Sequence, residues 1–499
     1  MPVGCLTDVK GGAPRWLIVD RMNLVKPLAA PTIPIRPGQA DSLVIDTALL
    51  LRHGGAGPRY TSYPTADRFV EAFDAEAWRH WLARRSIGGF IRPLGLYVHV
   101  PFCDTLCFYC ACNKIATRDH SRAVKYVTYV EREIGLAAEA LGDDRRIVKM
   151  HWGGGTPTFL GEAESERLMA ALRGAFDFAP GGEYAIEVDP RKVDARRIAH
   201  LASLGFNRIS VGVQDFDPEV QRAVNRIQSV DETRAVIDAA RASGFRSVNL
   251  DLIFGLPRQT VAGFAATLER VVECDPDRVA LYSYAHLPAA FTPQRRIKES
   301  ELPEADTKLE LMRMAIRRLE AAGYVHIGMD HFAKPTDDLA LAQRAGRLTR
   351  DFQGYSAGGE CDLLGLGVSA IAKIGPVYAQ NAKSLAEYYD ALDRGRLPIQ
   401  RGIELIADDL VRRAVIQALA CHFELAKESI SIGHLIDFDR YFATELAELA
   451  ALEDDGLVEL DPDWIRVTPR GRLLVRRVCM VFDRYLRETA RRATYSRVM

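Results

Sequence analysis

The stretch HVPFCDTLCFYCACNK, residues 99–114, places four of the chain's nine cysteines within ten positions. Cys103, Cys107 and Cys110 read C-x3-C-x2-C, and Cys112 follows two positions later. A structural zinc site is one reading, but zinc usually takes two Cys pairs separated by a dozen or more residues, and this loop has no distant partner pair. Three closely spaced thiolates suit three corners of an iron–sulfur cubane, which leaves the fourth iron open to a small chelating molecule.

Further polar and glycine residues recur at regular places: GGGTP at 153–157, Glu187 with Asp189, Gln214 with Asp215, Asp251, FGLP at 254–257, and Ala285 with His286. All but Asp251, which lies inside its run, come at or just after the end of a short apolar, β-branched run. The runs are GLYVHV (95–100), IVKMHW (147–152), EYAIEV (183–188), RISVGV (208–213), VNLDLIF (248–254) and RVALYSY (278–284). Six such runs alternating with helical segments predict parallel βα units curved into a partial or complete barrel. Active sites of such folds sit at the C-terminal ends of the strands, so these separated segments are expected to meet at one mouth.

Around this core, residues 1–42 carry six prolines and no periodicity, and are expected to be a disordered or misannotated extension. Residues 43–92 form an N-terminal arm, 93–380 the barrel with its substrate-proximal loops, and 381–499 a C-terminal helical and hairpin domain. In the last, helices are expected near 407–421, 437–453 and 469–490, with a hairpin GLVEL-DPD-WIRVT.

Lys plus Arg (65) nearly cancels Asp plus Glu (66), leaving a formal charge of -1. That balance gives no global footprint for nucleic acid or an anionic membrane, and no apolar run of about 18 residues or apolar signal core appears. The remaining cysteines (Cys5, Cys274, Cys361, Cys421, Cys479) show no disulfide framework. The chain is therefore expected to be cytoplasmic, without nucleic-acid or membrane partners.

In enzymes carrying this three-cysteine signature, the open iron is chelated by the amino and carboxylate groups of S-adenosylmethionine (SAM). The sequence resembles a family of such enzymes, the oxygen-independent coproporphyrinogen III oxidases. The resemblance runs through RYTSYPTADRF (59–69), YVHVPFCDTLCFYCACNK (97–114), HWGGGTPTFL (151–160), IEVDPR (186–191), GFNRISVGVQDF (205–216), NLDLIFGLP (249–257), GMDHFA (328–333), FQGY (352–355) and DLLGLGVSAI (362–371) to the terminal YSRVM. The fold it implies is α/β, a partial (β/α)6 radical-SAM barrel of parallel strands with an N-terminal arm and a small α+β, winged-helix-like C-terminal domain. The activity it implies is oxidative decarboxylation of two propionates of coproporphyrinogen III to vinyl groups, giving protoporphyrinogen IX, with a 5′-deoxyadenosyl radical made from SAM at a [4Fe-4S] cluster.

By the same resemblance Cys103, Cys107 and Cys110 hold the cluster, and Cys112, sitting just outside the triplet, is expected to be catalytic. Tyr97, Gly154, Glu187 and Ile371 contact a cluster-bound SAM, while Tyr109, Gly155, Thr156, Gln214, Arg226, Asp251 and Ala285 line a second SAM. Relatives often have Phe at the Tyr109 position, and the extension 1–42 has no counterpart. A low-potential electron donor such as a flavodoxin or ferredoxin is expected, and a monomer. Arg258, Arg295 and Arg296 are the candidates to meet substrate carboxylates. The competing reading is a haem-binding chaperone sharing the radical-SAM core, against which the RYTSYPTA arm and Cys112 both weigh.

Overall fold

The computed structural model describes residues 43–85 and 92–488, and the expected extension 1–42 lies outside them. Twelve strands make one sheet: β1 (Leu94–Val100), β2 (Arg146–Gly154), β3 (Asp177–Val188), β4 (Arg208–Gln214), β5 (Ser247–Phe254), β6 (Arg278–Ser283), β7 (Val325–Gly328), β8 (His331–Ala333), β9 (Asp362–Leu366), β10 (Ile371–Ile374), β11 (Val377–Asn381) and β12 (Ile399–Glu404). Their spatial order is β12-β11-β10-β9-β1-β2-β3-β4-β5-β6-β8-β7, so the sheet has two ends and the barrel is partial.

β1 to β6 are the six runs read from the sequence, parallel and adjacent in chain order. Period-two alternation sets their faces. Along β1, Leu94, Leu96, Val98 and Val100 are fully buried in the main core. Gly95, Tyr97 and His99, between them, take the other face and look into the lumen.

A seventh parallel strand, β9, pairs with the outer side of β1, from Leu94 opposite Asp362 to Val98 opposite Leu366. The sequence reading gave residues 362–374 no element. β10, β11 and β12 then extend the sheet antiparallel. The expected division at 380/381 falls at the end of β11, yet β12 pairs along that strand, so the sheet continues to Glu404. Glu133, on the helix Ser121–Leu141, ties this edge down. Its carboxylate accepts Tyr388 Oη at 2.5 Å, Asn381 Nδ2 at 2.6 Å and the Gly367 amide at 2.7 Å, and burial pushes it up to about 7.

Beyond Glu404, the helix Ala407–His422 leads to a three-stranded antiparallel sheet, Glu424–Ala426, Trp464–Val467 and Val458–Leu460, so the expected hairpin is present. The continuous helices expected at 437–453 and 469–490 are both broken. The first divides at the fully buried Phe442 into Phe438–Tyr441 and Ala443–Asp454. The second becomes Arg472–Leu474, Val475–Val481 and Arg484–Glu488. Here the Asp483 carboxylate accepts the Tyr485 amide at 3.0 Å, capping a new turn, and the Tyr60 hydroxyl at 3.0 Å.

Tyr60 belongs to the arm, which is stitched to three places at once. Arg59 pairs with Asp330, Tyr60 reaches Asp483, and Val70 bridges to Gly402. Among the described residues no helix is long and apolar enough to cross a membrane.

Candidate active site

The cysteine loop is held at both ends. Phe102–Cys103 and Ile115–Ala116 pair as two short parallel strands, while Phe108 N donates to Val224 O at 3.0 Å and Asn225 Nδ2 to Leu106 O at 2.8 Å. Cys103 and Cys107 are buried, Cys110 is partly buried and Cys112 is exposed. All four line one cavity of about 170 Å³ at the C-terminal ends of β2 to β5.

The donor chemistry around the triplet fits an iron–sulfur cluster. Thr156 Oγ1 lies 3.5 Å from Cys103 Sγ, and Arg226 Nη1 lies 3.6 Å from Cys107 Sγ, so hydroxyl and guanidinium face the sulfurs. A hydrogen bond from Cys112, with Lys114 beside it, holds Cys110 down at about 6, whereas burial pushes Cys103 up to about 11. Cationic neighbours of this kind favour thiolates. Among the described residues no three His, Cys, Asp or Glu side chains are disposed to hold a single metal ion.

The glycines of GGGTP explain themselves by contact. A Cβ at Gly153 would meet Glu187 Oε1 at 2.6 Å, one at Gly154 would meet the His99 ring at 2.5 Å, and one at Gly155 would meet Phe102 O and Pro101 O at 2.7 Å. Gly154 also has φ +114°, which favours glycine. The loop after β1, the end of β2 and Glu187 of β3 therefore close on one another only because these side chains are absent.

Glu187 accepts His151 Nε2 at 2.9 Å and the Gly154 amide at 3.3 Å. Burial works against its ionisation, but the His151 hydrogen bond and charge outweigh it, holding the carboxyl below its ordinary range. Tyr97 stacks on His151 (6.0 Å, 25°) and its hydroxyl meets His99 Nδ1 at 3.0 Å. Gln214 ends β4 at φ +69°, a conformation a non-glycine residue holds only under constraint. Arg226 is 7% exposed, donates to Gly212 O at 2.6 Å, and its buried Nε has no hydrogen-bond partner in the structure.

Tyr109, Gly154, Gly155, Thr156, Glu187, Gln214, Arg226 and Asp251 thus share the cavity with the cysteines. Tyr97, Ala285 and Ile371 do not line it. Ala285 is linked to it by Gln294, a 1% exposed residue whose Nε2 donates to both Tyr109 O (3.0 Å) and Ala285 O (3.2 Å). Nothing in the sequence around a lone Gln marks that role. Ile371 and Tyr97 meet across Gly365, which pairs with Tyr97 and whose Cβ would strike Ile371 O at 2.5 Å. Asp215 turns away from the mouth into a buried knot with Thr267 Oγ1 (2.5 Å) and Gln259 Nε2 (2.6 Å).

The three arginines expected to meet substrate do not line the cysteine cavity. Arg258 is tied on the surface to Glu219 at 3.1 Å and Glu301 at 2.9 Å. Arg295 donates to Pro288 O at 3.0 Å, and Arg296 lies over the Phe108 ring at 5.2 Å. Each is exposed.

Asp251 carries a pH signature. Burial, and then repulsion from Glu187, push its carboxyl from 3.8 to about 6, against hydrogen bonds from Asn249 Nδ2 (2.8 Å) and Ser210 Oγ (3.1 Å). With the folded value raised, this group's contribution to stability is complete below the unfolded value and is lost as pH rises through about 6. Asp251→Asn removes that loss. The stability of the variant relative to the parent is expected to rise by about 2 kcal/mol between pH 4 and pH 8, after allowance for partial exposure. Denaturant midpoints across that range measure it, and parallel curves for the two proteins would refute the raised carboxyl.

A partial α/β barrel whose first strand feeds a three-cysteine loop, opposite a glycine-rich second strand end, defines a radical SAM protein. Residues 97–271 match the Radical SAM superfamily, and residues 405–474 match the HemN C-terminal domain. The oxygen-independent coproporphyrinogen III oxidase of Pseudomonas aeruginosa is 49% identical over 461 residues, 92% of this chain and 100% of the relative. That of Escherichia coli K12 is 49% identical over 454 residues, 91% of this chain and 98% of the relative. A solved structure described as "Coproporphyrinogen III oxidase (HemN) from Escherichia coli is a Radical SAM enzyme" superposes with a TM-score of 0.84 at 46% identity, covering 89% of this chain and 100% of that one. The chain belongs to the oxygen-independent coproporphyrinogen III oxidase family. That membership implies a [4Fe-4S] cluster and SAM as cofactors.

Proposed function

We propose that this protein converts two propionate side chains of coproporphyrinogen III to vinyl groups without oxygen, yielding protoporphyrinogen IX. The reading is carried by full-length similarity to enzymes of that name, together with a cavity in which the cysteine triplet faces Glu187, Arg226 and Asp251.

Cys103, Cys107 and Cys110 would hold the cluster, with Thr156 and Arg226 directed at its sulfur ligands. When bound, the cluster and SAM supply a one-electron reductant and a hydrogen-abstracting radical. Glu187, kept ionised by His151, is an acceptor for an ammonium or a hydroxyl of SAM. Arg226 is a buried cation for a carboxylate. The fully buried faces of β1 to β6 exclude water from behind the lumen. Cys112, beside the triplet and in hydrogen-bond contact with Cys110, is the residue we assign to act on substrate.

Two SAM molecules per site is part of this proposal. In support, six of the residues expected to line the second SAM, Tyr109, Gly155, Thr156, Gln214, Arg226 and Asp251, share the cysteine cavity with the cluster thiols. A flavodoxin or ferredoxin as donor, a monomeric state and a cytoplasmic setting complete the reading.

The test is anaerobic: reconstituted protein, reductant, SAM and coproporphyrinogen III. Two carbon dioxide and two 5′-deoxyadenosine per protoporphyrinogen are expected. SAM cleavage with no tetrapyrrole product would refute the substrate.

A further inference from the structure

Beside the lumen lies a larger cavity, of about 550 Å³, walled by Leu363 of β9, Lys373 of β10, Tyr378 of β11, residues 346–352 and 359–361, and the helix Ala407–His422. It shares Lys149 and Asp351 as a common wall with the lumen cavity, which in turn shares Glu187, Ser210 and Asp251 with the cysteine cavity.

Its charge is at odds with the near-neutral chain. Arg92, Lys149, Arg347, Arg350, Lys373 and Arg413 line it, against only Asp351 and Glu360. Those two carboxylates are already engaged, Asp351 with Lys149 at 2.5 Å, and Glu360 with Arg92 at 2.6 Å and Lys373 at 3.6 Å. The nearby Asp330 is taken by Arg59. Among the described residues Arg350 has no carboxylate partner. It is 5% exposed, its Nε and Nη1 have no hydrogen-bond partner, and it lies over the Tyr355 ring at 4.7 Å. Arg413, also lining the cavity, donates to the Gly375 carbonyl at 3.2 Å, and its charge acts on Glu360.

A buried guanidinium with unmade hydrogen bonds is costly, and an arriving carboxylate would satisfy it with charge-assisted bonds. We propose that this cavity is a carboxylate subsite for the tetrapyrrole, in which Arg350, with Arg413, holds a propionate that is not being converted. The reacting propionate then extends past Lys149 toward the cysteine cavity. This rests on coproporphyrinogen III being the substrate. It moves carboxylate recognition from the surface arginines Arg258, Arg295 and Arg296 into the interior.

The probe is coproporphyrin III, titrated by fluorescence into the reconstituted holoenzyme, with its tetramethyl ester as the uncharged control. Arg350→Met is expected to weaken binding of the tetra-acid by about tenfold or more, while Arg350→Lys stays within about threefold. The ester is expected to bind parent and variants alike. Because an unpaired buried cation is removed, Arg350→Met should melt no lower than the parent, which a merely structural arginine would not allow. Should it melt lower, Arg413→Gln decides, with the same tenfold threshold. Parental affinity in both Arg350→Met and Arg413→Gln, in an enzyme that makes protoporphyrinogen, overturns the subsite alone. A parent that makes none overturns the substrate reading beneath it.

Discussion

Replacing any one of Cys103, Cys107 or Cys110 with Ala is expected to remove the reconstituted cluster and to reduce SAM cleavage to background. Each thiolate would hold one iron. The loop offers no substitute, because Cys112 sits exposed outside the triplet and the next cysteine along the chain, Cys274, is buried elsewhere in the core. Cys112→Ala is the contrasting case, retaining the iron and the SAM cleavage of the bare cluster while losing tetrapyrrole product. Iron and sulfide content, with 5′-deoxyadenosine release, separate the two classes. Loss of iron in Cys112→Ala equal to that in the triplet would show that the ligands are misassigned.

Glu187→Ala is expected to lower SAM cleavage by about two orders of magnitude, as the loss of two charge-assisted contacts allows. The side chain stands where the cysteine and lumen cavities meet. It is anchored from both sides, by His151 at 2.9 Å and the Gly154 amide at 3.3 Å, so its carboxylate is aimed before any ligand arrives. Glu187→Gln keeps the shape but not the charge, and is expected to recover only part of the affinity. Iron content should stay at the parental level, since no cluster thiol touches the residue. Equilibrium binding of SAM and single-turnover cleavage report the two effects separately, and parental values in Glu187→Ala would remove the residue from the site.

Much of this was legible in one dimension because the relevant spacings are local. The C-x3-C-x2-C triplet lies in a loop short enough that no tertiary contact is needed to bring the thiols together. β1 to β6 were legible because each is a short apolar run closed by polar or glycine residues, and parallel βα units place such ends at one mouth. The reason for GGGTP was only half visible. Glycine announces close approach, but not that the approaching groups are Glu187, His99 and the Pro101–Phe102 backbone.

Tertiary structure decided what depends on partners distant in sequence. β9 carries no βα rhythm of its own, and it becomes a seventh parallel strand only by pairing with β1, some 268 positions earlier in the register Leu94 to Asp362. The long helix expected at 469–490 breaks because Asp483 caps a new turn while held by Tyr60 of the arm. Charge shows the division most plainly. Arg258 and Arg350 are alike as letters, yet one finds Glu219 and Glu301 at the surface while the other is buried among groups already paired. Residue type and spacing fix which chemistry a segment can do, because they act through covalent geometry within a few residues. Which charges are neutralised, and which are left facing a cavity, follows from long-range packing, and a linear pattern carries no record of that.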